Sequence, residues 1–153
     1  MKNPDFWKQH YVVKTHVTEI ENNIQVASFV SDGERFELPN FITGRNAPNI
    51  LISQGSGGHS YVFAELAYQI HLNGYNVFIM PKHGDSSVNQ LLGRHSDALN
   101  HIAANFGENI GVYSEGFGGY VIFYLALAHG PMKSIICQNS PAIMTEGHIM
   151  KRL

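Results

Sequence analysis

The chain has 153 residues, of which 44% are apolar and 14% are charged, and its formal net charge is −2. This length suits one domain with a hydrophobic core, and the apolar fraction excludes an intrinsically disordered chain. The small net charge excludes a general attraction to nucleic acid or anionic lipid, and the single cysteine, Cys137, excludes a disulfide framework. No apolar run reaches the roughly 20 residues of a membrane span, so we expect a cytoplasmic protein.

Residues 1–48 carry the pattern of N-terminal strands followed by a loop. β-branched and aromatic residues dominate Thr15–Ile20 and Ile24–Val30, and the pair Asp32-Gly33 is a hairpin turn signal. Pro39 and Pro48 then mark a loop. This part of the chain therefore predicts short antiparallel strands.

Residues 49–145 alternate between strand and helix patterns. Four short apolar runs predict buried strands at Asn49–Ser53, Val77–Met80, Ile110–Tyr113 and Ser134–Cys137. Helical spacing of apolar residues between them predicts helices over Ser60–Asn73, Val88–Phe106 and Phe117–His129. Continuous apolar strands that alternate with helices indicate a mostly parallel sheet covered on both faces. The predicted fold class is α/β, a three-layer α/β/α domain over 1–153 with antiparallel N-terminal strands.

Small and polar residues follow three of the predicted strands. They occupy residues 53–60, 81–87 and 114–119, each directly after an apolar run. In open α/β sheets, ligands bind outside the carboxyl ends of the strands. The sequence therefore predicts a ligand pocket at this edge of the sheet.

These segments resemble the α/β-hydrolase family over roughly residues 20–145. Residues 50–58 are similar to the family's strand and its oxyanion loop, with Gln54 where the family usually has His. Residues 74–86 are similar to its next strand and the Gly-His-Gly-x-Ser turn, which here contains His83. Residues 114–120 resemble its nucleophile elbow. The resemblance implies an α/β-hydrolase fold related to esterases, lysophospholipases and serine aminopeptidases, with no cofactor.

Residues 112–118 can be aligned with the family's nucleophile-elbow motif in two registers. If Ser114 is the nucleophile, Val112 occupies the position two residues before it, which the family keeps small. If the register follows Gly118, then Gly116 stands at the tip, and the apolar strand that runs up to Ser114 favours this second register. Glycine has no side chain, so the second register excludes covalent catalysis by a serine at the tip.

The rest of a catalytic triad has no good match. In the family, an acid and then a histidine follow the nucleophile, each after a later strand. After Cys137 only Glu146 and His148 are of these types, and no further strand pattern accompanies them. The sequence therefore looks like the N-terminal portion of a larger domain, whose last strand leaves an open sheet edge. We expect a homodimer through that edge.

The resemblance and the loop positions give a set of candidate site residues. Glu115 lies beside the elbow tip and is a candidate general base. The candidate oxyanion and pocket residues are Gln54, Gly55, Ser56, His59, His83 and Phe117. No metal site is expected, because the histidines lack ligand spacing.

Residues 55–60 also approximate the dinucleotide fingerprint Gly-x-Gly-x-x-Gly, with Ser60 in the third glycine position. That motif needs an acidic residue after the next strand, where this chain has Lys82. Three hypotheses follow. The first is a hydrolase of a small-molecule ester or amide, the second is a catalytically inactive binding or partner protein on the same fold, and the third is a dinucleotide-binding domain.

Overall fold

The structure is a computed structural model that describes residues 11–12, 17–55, 58–128 and 131–140. A 3-10 turn at Ser60–Phe63 precedes the second helix. The helices of this part of the chain are α1 (Val17–Asn23), α2 (Ala64–Leu72), α3 (Val88–Phe106) and α4 (Phe117–Leu127). Its strands are β1 (Gln25–Ser31), β2 (Glu34–Phe41), β3 (Asn49–Ser53), β4 (Asn76–Ile79), β5 (Ile110–Glu115) and β6 (Ser134–Gln138).

The strands form one mixed sheet in the order β1-β2-β4-β3-β5-β6. β1 and β2 pair antiparallel, and β2 pairs antiparallel with β4. β4, β3, β5 and β6 are parallel to one another. The predicted fold class is confirmed, since a mostly parallel sheet carries an antiparallel N-terminal hairpin.

Two hydrophobic clusters cover the two faces of the sheet. Successive side chains of a strand point to opposite faces, so Leu51 belongs to the cluster under α3 and α4, while Ile52 belongs to the cluster under α1 and α2. Leu99 and Val121 are fully buried in the first cluster, and Ala67 is fully buried in the second. Both faces are therefore covered, as the continuous apolar strands predicted.

The prediction of a strand over Thr15–Ile20 was wrong for its described residues. Val17–Asn23 is a helix, in which the Asn23 side chain donates to the Glu19 carbonyl 2.7 Å away. Ile20 is 2% exposed, and Val17 and Ile24 pack against the same cluster. Their spacing of three and four residues is helical, so packing outweighed the β-branched composition.

The loop before β3 is shorter than predicted, because Pro39 lies inside β2, where it pairs with Val26. The remaining loop is held by the buried amide of Asn76. Its nitrogen donates to the Gly44 carbonyl at 2.9 Å, and its oxygen accepts from the Thr43 amide at 2.8 Å. A second bond from the same nitrogen to Asn49 Oδ1 at 3.0 Å ties the loop to the start of β3.

Candidate functional site

The carboxyl ends of β3, β4 and β5 meet at one edge of the sheet. Because these strands are parallel, their register places Ile52 beside Ile79 and Ser53 beside Ser114. The segments that follow the three strands therefore lie together, as the sequence predicted for a ligand pocket.

The turn between β5 and α4 is a single residue, Gly116. β5 ends at Glu115 and α4 begins at Phe117. Gly116 has φ 54° and ψ −124°, a backbone conformation that L side chains rarely adopt. Its N–H donates to the Gln138 carbonyl at 3.0 Å, so the turn is fixed to the end of β6.

Ser114 lies inside β5 and is fully buried. Its hydroxyl lies 3.2 Å from the Ile136 carbonyl and 3.1 Å from Cys137 Sγ, both on β6. In this position the hydroxyl is directed towards the neighbouring strand and is closed off from solvent.

Two glycines let the first turn of α4 approach the strands. A Cβ on Gly118 would lie 2.6 Å from the carbonyl oxygens of Ser53 and Gln54. A Cβ on Gly119 would overlap the Ser140 side chain and lie 3.3 Å from Ser114 Oγ. The start of α4 therefore lies directly against the end of β3, where a side chain at position 118 would meet backbone oxygens that cannot move aside cheaply.

Gly55 packs against the turn from the opposite side. A Cβ on Gly116 would lie 3.7 Å from the Gly55 Cα, and a Cβ on Gly55 would lie 4.0 Å from the Phe117 nitrogen. Phe117 is the first residue of α4, so its N–H has no acceptor within the helix. The helix dipole adds a partial positive charge at the same point. This arrangement can bind an electronegative oxygen.

Gln54 supports this loop from inside the protein. Its side chain is fully buried, and Nε2 donates to the Met80 carbonyl at 2.8 Å, which also accepts from Ser60 Oγ at 2.9 Å. Gln54 Oε1 has no hydrogen-bond partner among the described residues. A Cβ on Gly58 would lie 2.6 Å from that oxygen, so the loop folds tightly over the amide.

His83 lies on the segment after β4 and is 3% exposed. Burial, and then the charge of Arg94, lower the pKa of His83 to about 4, so the imidazole is neutral at pH 7. Its ring contacts the rings of His95, at 5.6 Å between centroids, and Phe117, at 6.1 Å. Within the described part of the chain, neither ring nitrogen of His83 has a hydrogen-bond partner.

His59 takes a different role from His83. It is the N-cap of the 3-10 turn, where its Nδ1 accepts from the Tyr61 N–H at 3.4 Å. The two rings also stack, with 5.8 Å between centroids. The structure therefore gives His59 a capping role at this edge.

Sequence reasoning missed a buried pair beneath the site, Ser53 and His95. His95 is fully buried, and its Nε2 lies 2.8 Å from Ser53 Oγ, while its Nδ1 donates to the Leu91 carbonyl at 2.8 Å. Burial, reinforced by His83, lowers the pKa of His95 to about 3. The available signal was the place of His95 within the apolar stripe of its helix, which indicates burial.

Arg94 was also missed, and it supports the His83 segment. Its guanidinium lies 4.0 Å from the centroid of the Phe36 ring. Nη2 donates to Ser86 Oγ at 2.8 Å, and Nη1 lies 3.4 Å from the carbonyls of Lys82 and His83. No sequence pattern distinguishes Arg94 from a solvated arginine on the same helix.

Glu115 is half-buried at the end of β5. Burial, and then the Glu115 carboxylate, raise the pKa of Tyr113, whose hydroxyl donates to Gln138 Oε1.

Three candidate residues from the sequence, Ser56, Glu146 and His148, lie outside the described residues. Among the described residues, no group of three or more His, Cys, Asp or Glu side chains is placed to hold a metal ion. In the same part of the chain, no helix is long and apolar enough to cross a membrane.

No family model and no curated protein matches the sequence. Solved structures do match the fold. An epoxide hydrolase, VrEH1 from Vigna radiata, has a TM-score of 0.68 at 13% identity over 86% of this chain and 46% of its own. The carboxylesterase EstE1, from a metagenomic library, has a TM-score of 0.68 at 14% identity over 94% and 57% of the two chains.

A third match is MGS-M1, an α/β-hydrolase enzyme from a deep-sea metagenome library, with a TM-score of 0.67 at 16% identity over 82% of this chain and 61% of its own. The chain thus spans about half the length of the solved structures that it matches. At these identities the likeness shows the fold, and the chain has the α/β-hydrolase fold that its motifs resembled.

Proposed function

We propose that this protein, with its α/β-hydrolase fold, binds a small molecule through an ester or amide carbonyl at the turn formed by Gly116. The observation that carries the proposal is the conformation of that turn, φ 54° and ψ −124°, between β5 and the first residue of α4. In this fold, a strained strand-to-helix turn presents the reacting group at the edge of the sheet where ligands bind.

In this proposal, two backbone N–H groups donate hydrogen bonds to the carbonyl oxygen of the ligand. In the hydrolase pattern, one oxyanion donor is the N–H of the residue after the turn, and the other comes from the loop after the β3-equivalent strand. Phe117 fills the first position, and Gly55, whose backbone packs against the turn, fills the second. Both contacts belong to the main chain, so the proposed site does not depend on a titratable side chain.

The proposed binding leads to no covalent intermediate. Gly116 has no side chain, and the Ser114 hydroxyl is fully buried against β6. A serine must reach the carbonyl carbon to within about 3–3.5 Å to attack it. The Ser114 hydroxyl is instead directed at the Ile136 carbonyl and Cys137 Sγ of β6, so we assign it a structural role.

Hydrolysis of the same ester or amide bond is a second candidate function, which the epoxide hydrolase and esterase matches of the fold favour. With glycine at the turn, the attacking group in that reaction is a water molecule in the space above Gly116. Glu115, half-buried at the neighbouring position, is the candidate base for that water.

Binding is tested by titrating the ¹⁵N-labelled chain with methyl butyrate and following the Phe117 amide resonance. We expect this resonance to shift. Gly116→Leu should abolish the shift by filling the space above the turn. Gly33→Leu is the matched control, because Gly33 also has a positive φ, of 77°, and no described residue lies within 4 Å of an added Cβ. An unperturbed Phe117 amide at saturating ester would overturn the proposal.

Catalysis is tested with a fluorophosphonate probe and by butyrate release. We expect no labelling of the wild-type chain or of Ser114→Ala. Labelling that disappears in Ser114→Ala would show a serine nucleophile and contradict the structural role of Ser114. Butyrate release without labelling, lost in Glu115→Gln, would favour the water-based reaction.

A further inference from the structure

The buried imidazole of His83 has hydrogen-bonding capacity that the protein leaves unmet. The residue is 3% exposed, and neither ring nitrogen has a hydrogen-bond partner among the residues that the structure describes. A buried polar group without a partner destabilises the folded state, so native structures rarely contain one that no water or ligand satisfies. An unpaired histidine at the ligand edge of the sheet therefore points to a bound group.

The partner that the His83 ring lacks is a hydrogen-bond donor. A neutral imidazole has one N–H and one bare nitrogen that only accepts. The rings of His95 and Phe117 stand nearly perpendicular to His83, at interplanar angles of 70° and 69°. An aromatic face can accept a weak bond from an N–H, but it cannot donate to a bare nitrogen.

The neighbouring charge restricts the donor to a neutral group. Arg94 donates to the His83 carbonyl at 3.4 Å, so a guanidinium charge lies beside the ring. That charge disfavours an ammonium group at the same place, while leaving hydroxyl and amide N–H groups unaffected. Phe117 connects this point to the proposed carbonyl site, because its ring contacts His83 and its N–H begins α4.

We propose that His83 is the specificity-determining residue of the site: its bare ring nitrogen accepts a hydrogen bond from a neutral N–H or O–H group of the ligand, so the site selects amides and hydroxylated acyl groups over plain esters. This inference rests on the carbonyl-binding function proposed above. It assigns His83 to recognition, through a contact that the backbone amides of the turn do not make.

A near-isosteric probe pair tests the selection. Methyl butyrate and N-methylbutyramide differ in one position, where the ester has an oxygen and the amide has an N–H. We expect both probes to shift the Phe117 amide resonance of the full chain, with the amide binding about fivefold or more tightly, the ratio expected of one hydrogen bond. The amide alone should shift the ¹⁵N resonance of the accepting His83 nitrogen.

His83→Phe keeps a planar ring and removes the nitrogens, so it should bind the two probes with equal affinity. His101→Phe is the matched control. His101 lies on α3, away from the site, and its ring packs near Phe29, with 6.5 Å between the ring centroids. The control should keep the preference for the amide. If His83→Phe does not fold, the ¹⁵N measurement on the wild-type chain decides alone.

The outcomes separate this inference from the proposed function. Equal affinity of the two probes in the wild-type chain, with Phe117 shifted by both, overturns the role of His83 and keeps the carbonyl site. A His83 nitrogen that is hydrogen-bonded in the free protein and unchanged by the amide shows a buried water only, which also overturns it. A Phe117 resonance unmoved by either probe overturns both proposals.

Discussion

Ser53 and His95 form a hydrogen bond that joins the end of β3 to the middle of α3, with 2.8 Å between Oγ and Nε2. A carbonyl only accepts, so the bond from His95 Nδ1 to the Leu91 carbonyl places the imidazole hydrogen on Nδ1. Nε2 is then the acceptor, and the Ser53 hydroxyl donates to it. The pair thereby fixes the strand end from which the Gln54 and Gly55 loop departs.

Removing this hydroxyl should destabilise the protein. Ser53→Ala leaves His95 Nε2 buried without a donor, which should lower the free energy of unfolding by about 1–3 kcal/mol. Urea denaturation followed by circular dichroism measures this change. Ser28→Ala is the control, because Ser28 accepts from Arg35 at the exposed surface, and it should change stability by less than about 0.5 kcal/mol. Equal effects of the two substitutions would contradict the assigned bond.

The two buried histidines should make the fold sensitive to acid. The pKa values of His83 and His95 are about 4 and about 3 in the folded chain, against an ordinary value of 6.5. Below pH 6.5 the unfolded chain binds protons that the folded chain does not, so the free energy of unfolding falls as the pH falls towards 4. Each histidine contributes about 1.4 kcal/mol per pH unit.

Denaturation at pH 7.5, 6.0 and 4.5 checks this slope. In His83→Phe the slope between pH 6.0 and 4.5 should fall by about half, since His95 alone then contributes. His101→Phe should leave the slope as it is in the wild-type chain. A free energy of unfolding that stays constant down to pH 4.5 would show that the histidines are protonated without cost.

Replacing glycine by alanine should have opposite effects on stability at two positions, one at the close approach of α4 to β3 and one on the exposed face of α3. Gly118→Ala places a methyl group 2.6 Å from two backbone oxygens, which cannot give way cheaply, and should cost about 3 kcal/mol or more. Gly93 lies in the exposed middle of α3, where an added Cβ has no described residue within 4 Å, so Gly93→Ala should stabilise the protein by about 0.5–1 kcal/mol. Thermal unfolding of both variants measures the difference, and a Gly118→Ala variant as stable as the wild-type chain would contradict the close contact between α4 and the end of β3.

The homodimer expected through the sheet edge stays a prediction, which two matched variants test. β6 and β1 are the outer strands of the sheet, and Ile136 and Val30 on them are each 63% exposed. Sedimentation of the wild-type chain should show dimers, Ile136→Lys should be monomeric, and Val30→Lys should remain dimeric. A wild-type chain that sediments as a monomer at 100 μM, about the concentration of a structural experiment, would end the dimer hypothesis.

The sequence predicted the parts of the fold whose signals are local. The predicted bounds of the strand Asn49–Ser53 and of the helix Val88–Phe106 were correct at both ends, because prolines and glycines flank these apolar runs. Ser87 also caps the helix, together with Gln90, in a capping box. The helix at Val17–Asn23 was missed, since its stability depends on burying Ile20 against α2.

The candidate site was predictable in position but not in its interior contacts. The glycine pattern located the three loops, because each strand end needs a tight turn. The bond between Ser53 and His95 joins residues 42 apart in the chain, and the Arg94 guanidinium lies over a ring on β2. Such pairs depend on the packing of distant elements, which no single-chain pattern encodes.

Glycine at position 116 has a consequence for the balance between reactivity and stability. At φ 54° and ψ −124°, any residue with a Cβ bears a backbone penalty of about 1–3 kcal/mol, as an elbow with a side-chain nucleophile must. Glycine holds the same turn without that penalty. A serine at this position would keep the backbone path, since among the described residues an added Cβ meets Gly55 alone, at 3.7 Å, and the cost of that substitution would appear as lost thermostability.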